Sequence, residues 1–182
     1  MKDLSLYVLD ITMNSVKAGA SHIDVSLVEE GEWLTFTVTD DGCGMTADQV
    51  ARISDPFFTS RTTRKVGLGV PFLRLLAEQT GGTVEITSKS EAEHPDDHGT
   101  TTKATFDTTS IDFIPLGDLV STMITLIQGS PERDFRFTHI RAPGTVSLDT
   151  EELREALGDV SLAEVEVLAW IREYLEEQYG QN

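Results

Sequence analysis

The sequence predicts an α+β domain with a C-terminal α/β extension, and three observations predict it. Apolar residues recur at helical spacing over residues 4–18 and 70–79. Short β-prone runs at 22–28, 33–38, 83–87 and 100–108 are separated by glycine or polar turns. Composition shifts after Ser110, where a Pro115-Leu-Gly-Asp118 segment opens a second set of helix and strand patterns. The expected division is therefore residues 1–110 and residues 111–182.

Residues 4–18 put Leu6, Leu9, Met13 and Val16 on one stripe, with Ile11 at its edge. Asp10, Asn14 and Lys17 fall at i, i+4 and i+7 and share a face about two turns long. That face is either a plain solvated surface or a row of acid, carboxamide and cation. Gly19 suits the C′ position that ends the helix. Ile23, Val25 and Leu27 alternate, Gly31 turns the chain, and residues 33–38 alternate again, which predicts a hairpin. The second strand runs into Asp40-Asp41-Gly42-Cys43-Gly44-Met45. Two glycines two apart allow a sharp turn and close approach of a ligand. An acid there can accept a hydrogen bond from an amino group. An ordinary Asp-Gly turn is the plainer reading. Cys43 has no basic neighbour in sequence to activate its thiol.

Thr46-Ala-Asp-Gln49 is a capping box for a short helix to about Ile53. The stretch 55–69 holds an aromatic pair and Arg61, Arg64 and Lys65 within five positions, without an acidic neighbour. Gly67-Leu68-Gly69 then opens the helix over 70–79. Free N–H groups, the positive helix end and three cations together suit a polyphosphate. The plainer reading is a flexible loop with solvated basic residues. Gly81-Gly82 stops the helix, and a strand follows over 83–87. Residues 88–98 read as a polar loop, with His94 and His98 solvated rather than metal ligands. Gly99-Thr100-Thr101 opens a fourth strand to about Thr108.

Beyond Ser110 the pattern predicts a helix over 119–128, broken by Gly129-Ser-Pro131. A strand over 134–140 and a Pro143-Gly144 turn come next, then a capped helix over 149–157. Ser161-Leu-Ala-Glu164 reads as a second capping box, opening a helix to about Tyr179. Val165, Leu168, Trp170, Ile171 and Leu175 give that helix a broad apolar surface. It packs on the main domain or serves a protein partner or a homodimer.

Composition narrows the function. The chain has 182 residues and a formal charge of −17. Residues 1–110 hold 9 basic against 17 acidic side chains, and residues 111–182 hold 5 against 14. A duplex-DNA binder normally presents a basic face, so a free nucleotide suits the single basic cluster better than nucleic acid does. The lone cysteine excludes an internal disulfide framework and fits a reducing cytoplasm. No signal-peptide pattern opens the chain, and no apolar run is long enough to cross a bilayer. The expectation is a cytoplasmic protein with no membrane partner.

Five stretches, taken in order, resemble the GHKL ATPase superfamily of gyrase, MutL-type repair proteins and sensor histidine kinases. Asp10-x-x-x-Asn14-Ser15-x-Lys17-Ala18-Gly19-Ala20 resembles the N-box, and Asp40-Asp41-Gly42-Cys43-Gly44-Met45 the G1 box. Asp55-Pro-Phe-Phe-Thr-Ser-Arg61 resembles the histidine-kinase F-box, Gly67-Leu68-Gly69-Val70 the G2 box, and Gly99-Thr100-Thr101 the last glycine box. The resemblance implies a two-layer α/β sandwich, the Bergerat fold, with a mixed sheet covered by helices. It implies ATP and Mg²⁺ as cofactors. Asp40 would accept the adenine amino group with support from Thr100, and Gly42 and Gly44 would admit the base. Asn14 would ligate Mg²⁺. Lys17, Arg61, Lys65 and the N–H groups of Gly67, Leu68 and Gly69 would hold phosphates. Met45, Phe57, Thr59 and Val70 complete the expected nucleotide set. Asp10 stands where hydrolysing relatives carry a water-activating glutamate, and is shorter by one methylene. The full chain, including the PLGDL segment and the acidic tail, also resembles stand-alone ATP-binding proteins encoded beside iron-only hydrogenases in anaerobic bacteria.

Three functions compete at this level. A kinase acting in trans would move phosphate to a separate phosphoacceptor protein. None of the four histidines falls on an expected helix, so self-phosphorylation in the usual sensor-kinase manner is not expected. An ATP-operated switch with slow hydrolysis would change how residues 111–182 meet a partner. A binding module without turnover would use those residues as its interaction surface.

Overall fold

The computed structural model describes residues 2–53, 55 and 68–181. Helix α1 (Leu4–Lys17) leads into the hairpin β1 (His22–Glu30) and β2 (Trp33–Asp40). Helices α2 (Ala47–Ile53) and α3 (Gly69–Gln79) precede β3 (Val84–Lys89) and β4 (Gly99–Asp107). Then come α4 (Leu119–Gly129), β5 (Asp134–Arg141), β6 (Gly144–Asp149), α5 (Thr150–Leu157) and α6 (Val165–Gln181).

The six strands form one mixed sheet in the order β3-β4-β2-β1-β5-β6. Only β1 and β5 run parallel; the other neighbours are antiparallel. Alternation decides which face is covered. Ile23, Val25 and Leu27 are buried with Leu34, Phe36 and Val38, while the residues between them stay partly exposed. Helices α1, α3, α4 and α6 cover that inner face, α1 lying between α3 and α4. This is the α+β, two-layer architecture that the sequence predicts.

Local chemistry sets the helix ends. In α1 the N–H of Gly19 reaches Val16 O and that of Ala20 reaches Ser15 O; Gly19 has φ +78°. In α3 the N–H of Gly81 reaches Glu78 O and that of Gly82 reaches Ala77 O. Both are Schellman closures, which need a left-handed residue at C′. The Thr46–Gln49 capping box forms reciprocally, with bonds of 2.9 and 3.3 Å.

Four expectations are corrected. In α1 the face turned inward is Leu4, Val8, Ile11 and Ser15; Leu6 is 41% exposed, and Leu9, Met13 and Val16 are only partly buried. A helix flanked on both sides carries apolar residues on its flanks as well as underneath, so the wrong stripe stood out. Strand β6 is not predicted by the sequence: its two inward residues, Val146 and Leu148, are too few to stand out beside Pro143. A two-residue loop, Ala142-Pro143, joins it to β5, with Arg141 opposite Gly144. The Ser161–Glu164 box does not cap α6, since Ser161 Oγ accepts from Ala163 N at 3.1 Å and the helix starts at Val165. In α6 the inward residues are Val167, Ile171 and Leu175, one turn apart, whereas Val165 is 80% and Trp170 48% exposed.

Residues 111–182 supply β5, β6 and three helices. Helix α4 packs on α1. The N–H groups of Leu4 and Ser5 donate to Pro115 O and Leu116 O, each at 2.8 Å.

Candidate nucleotide site

Asp40 ends β2 beside the C-terminal half of α1, and both of its carboxylate oxygens are held. Ser15 Oγ donates to Oδ2 at 2.5 Å and Gly42 N donates to Oδ1 at 2.8 Å. The orientation is thus fixed before any ligand arrives, while each oxygen keeps a further acceptor position. Thr100 lies directly opposite Asp40 in the β2–β4 register. Its hydroxyl contacts Ser88 Oγ at 2.7 Å, and Ser88 Oγ in turn accepts from Met45 N at 2.7 Å.

The turn after Asp40 is pinned on several sides. Cys43 N donates to Ala18 O at 2.9 Å, tying it to the end of α1. Glu91 N donates to Cys43 O at 2.7 Å, and His98 Nδ1 lies 2.5 Å from Gly42 O. Gly44 has φ +68°, and a Cβ there would run into the backbone carbonyl of Lys89. Only glycine satisfies both constraints. A Cβ on Gly42 would sit 2.8 Å from Ala18 Cβ, so Gly42 serves close packing of the turn on α1. Asp41 accepts from Ser21 N at 2.7 Å and His22 N at 3.0 Å. Burial pushes its pKa up, but these N–H groups and the His22 ring outweigh that and hold it below the usual value.

The described residues enclose a cavity of about 200 Å³ at this point. That is smaller than the roughly 300–1,000 Å³ of a whole small-molecule site, so it suits one ring system. Asp40, Thr100, Gly44 and Met45 line one side, Asn14, Ser15 and Lys17 another, and Ile11, Val70 and Ile86 supply apolar wall. A planar base with an amino edge matches an apolar slot ending in a fixed carboxylate.

Asp10 lies one helical turn before Asn14 and is half-buried. A Cβ on Gly69, the first residue of α3, would overlap the Asp10 carboxylate. The acid therefore sits against the positive end of α3. Leu68 is the N-cap of that helix and is exposed. Of the expected site residues, Asn14, Lys17, Asp40, Gly44, Met45, Val70 and Thr100 converge on the cavity. Asp10, Leu68 and Gly69 lie at the adjoining helix end, and Gly42 lies behind the wall. Phe57, Thr59, Arg61, Arg64, Lys65 and Gly67 lie outside the described residues. Sequence reasoning gave no role to Ser15, Ser88 or His98. His98, read as solvated, is in fact half-buried against the turn.

A larger cavity, about 810 Å³, lies at the opposite end of the sheet and holds none of the expected residues. His139, 1% exposed, lines it between Glu29 (Nε2 to Oε2, 2.5 Å) and the Tyr179 hydroxyl (Nδ1, 2.7 Å). Burial lowers the His139 pKa further than Glu29 raises it. Burial also raises that of Tyr179.

A family model described as histidine kinase-, DNA gyrase B-, and HSP90-like ATPase matches residues 2–110. The sensor histidine kinase ZraS of Escherichia coli O157:H7 is 34% identical over 87 residues, 47% of this chain and 19% of that protein. The DNA mismatch repair protein MutL of Paramagnetospirillum magneticum is 43% identical over 54 residues, 30% of this chain and 9% of that protein. The Aquifex aeolicus MutL ATPase domain complexed with ADP has TM-score 0.57 at 14% identity, covering 86% of this chain and 69% of that one. That likeness is one of fold. The chain thus spans under a fifth of the length of these two curated relatives. Among the described residues no helix is long and apolar enough to cross a membrane.

Proposed function

Because the chain belongs to the histidine kinase-, DNA gyrase B- and HSP90-like ATPase family, we propose that it binds Mg-ATP beside α1 and α3 and transfers phosphate to a separate protein. The observation that carries the nucleotide reading is Asp40, fixed by Ser15 and Gly42 at the end of an apolar slot and faced by Thr100. A purine amino group offers donors only, and a fixed carboxylate is its complement.

Asn14 offers a hard carboxamide oxygen suited to Mg²⁺, which when bound would offset charge on the phosphates. Lys17, the basic residue in the last turn of α1, would meet the phosphates from one side, and the N–H groups opening α3 would meet them from another. In the transfer, the acceptor's nucleophilic atom bonds the γ-phosphorus as the bond to the bridging oxygen breaks, leaving ADP. Asp10 is the base candidate. Its short side chain favours slow hydrolysis, because an ångström of misplacement can cost about 10²-fold. The chain's likeness to sensor kinases supports transfer over fast hydrolysis.

A second reading is a nucleotide-operated switch. The backbone ties from Leu4 and Ser5 to Pro115 and Leu116, with α4 packed on α1, favour it. Closure over a nucleotide would then pull on residues 111–182, which in both readings form the extension that meets a protein partner. Incubation with γ-labelled ATP and candidate acceptor proteins tests the pair. Label on the acceptor supports transfer. Nucleotide-dependent association without label supports the switch.

A further inference from the structure

Three side chains outside the nucleotide cavity converge at the edge where β1 and β5 begin. His22 opens β1 and Asp134 opens β5, and the parallel register sets them opposite each other. Glu151 lies in the first turn of α5. His22 Nε2 is 3.9 Å from Asp134 Oδ2 and 3.9 Å from Glu151 Oε2, and one ligand atom from each residue lies within 4.8 Å of the others. These separations are too long for hydrogen bonds. The two His22 distances are about half an ångström wider than the roughly 3.3 Å spacing that tetrahedral bonds of about 2.0–2.1 Å impose, and the two carboxylate oxygens lie within 4.8 Å of each other. Glu151, an exposed side chain, can make up the difference by rotation.

Groups outside the triad aim two of its members. The other imidazole nitrogen of His22 lies 3.1 Å from Asp41 Oδ2, and Asp41 is held by the backbone N–H groups of Ser21 and His22. This is the carboxylate–histidine arrangement that orients a metal-binding imidazole and leaves Nε2 as the ligand. The spare oxygen of Asp134, Oδ1, is taken by Arg154 Nε and Thr150 Oγ1, each at 3.1 Å, and Thr150 is fully buried. Oδ2 is thereby left to face His22. Arg136 and Arg154 offset part of the charge of Asp24, Asp41, Asp134, Asp149 and Glu151 and leave the cluster net acidic.

We propose that His22, Asp134 and Glu151 bind a divalent transition-metal cation of the Zn²⁺ type, with Asp41 as the positioning residue behind His22. One imidazole and two carboxylates suit such an ion better than Mg²⁺ or Ca²⁺, which take oxygen ligands. The site is separate from the proposed Mg²⁺ ligand Asn14, so the inference stands or falls apart from the nucleotide reading.

The test is calorimetric titration of the metal-stripped full chain with Zn²⁺ alone, followed by X-ray absorption on the loaded protein. The expected result is one ion per chain in the micromolar range, with nitrogen and oxygen neighbours at about 2.0–2.1 Å and no sulfur. His22→Ala and Glu151→Gln should each weaken binding by about 10-fold or more, and Asp41→Asn by about 10–100-fold. Gly129→Ala, where nothing lies within 4 Å of the added Cβ, should leave it unchanged. Glu151 is exposed, so its variant keeps the fold. Absence of saturable binding would overturn the proposal and leave His22 as a member of an acidic ion-pair network. Sulfur in the absorption spectrum, or wild-type affinity in both His22→Ala and Glu151→Gln, would also overturn it.

Discussion

Ser15 donates its hydroxyl to Oδ2 of Asp40 at 2.5 Å, joining the middle of the candidate site across 25 residues of chain. Ser15 is buried on the sheet-facing side of α1, so the bond is partly shielded from water. Ser15→Ala leaves one oxygen of Asp40 without its partner. Hydrogen bonds to charged groups contribute about 1.5–3 kcal/mol, so ATP affinity should fall roughly 10-fold or more in a calorimetric titration. Unchanged affinity would mean that Asp40 needs no such support.

Asn14→Ala should weaken ATP binding chiefly when Mg²⁺ is present. Titrations with and without the ion separate the two effects, and an equal loss in both would contradict a ligand role.

Asp10→Asn should remove residual hydrolysis while ATP binding persists, since Asp10 lies at the first residue of α3 rather than on the cavity wall. Steady-state phosphate release together with a binding isotherm decides it. Hydrolysis at the wild-type rate would exclude Asp10 as the base.

Gly44→Ala meets two obstacles, a left-handed backbone and the Lys89 carbonyl. Strain of this kind costs about 1–3 kcal/mol, visible as a lower urea midpoint. Gly129→Ala is the control, because nothing lies within 4 Å of its Cβ position.

Stability should fall as pH drops below about 6.5. His139 has its pKa lowered on folding by burial, so the unfolded chain takes up the proton first. The stabilisation is complete above the unfolded value and is lost as pH falls through the folded one. Urea midpoints between pH 7.5 and pH 5 should show this slope in wild type, and His139→Gln should flatten it. A slope of equal size in the variant would assign it to other groups.

Much of this molecule is legible from local sequence, and the reasons are physical. The Asp40 turn announces itself because glycines, acid and strand end are neighbours in the chain. Both Schellman closures show as glycines just past an apolar helix. Ser15, Ser88 and His98 were not legible as site residues, because their roles depend on elements that meet only in the folded sheet. His98 reaches Gly42 across 56 residues. The inward face of α1 is not legible locally, because a central helix is apolar on its flanks too. Strand β6 escaped because Val146 and Leu148 are all the periodicity it has.

In the proposed nucleotide mode, Asp40 recognises the base. Calorimetric titration with ATP and ADP, with and without Mg²⁺, on wild type and Asp40→Asn tests it most directly. Micromolar binding by wild type and none by a folded Asp40→Asn is the expected result. Equal binding by both proteins, or no binding by wild type, would contradict it.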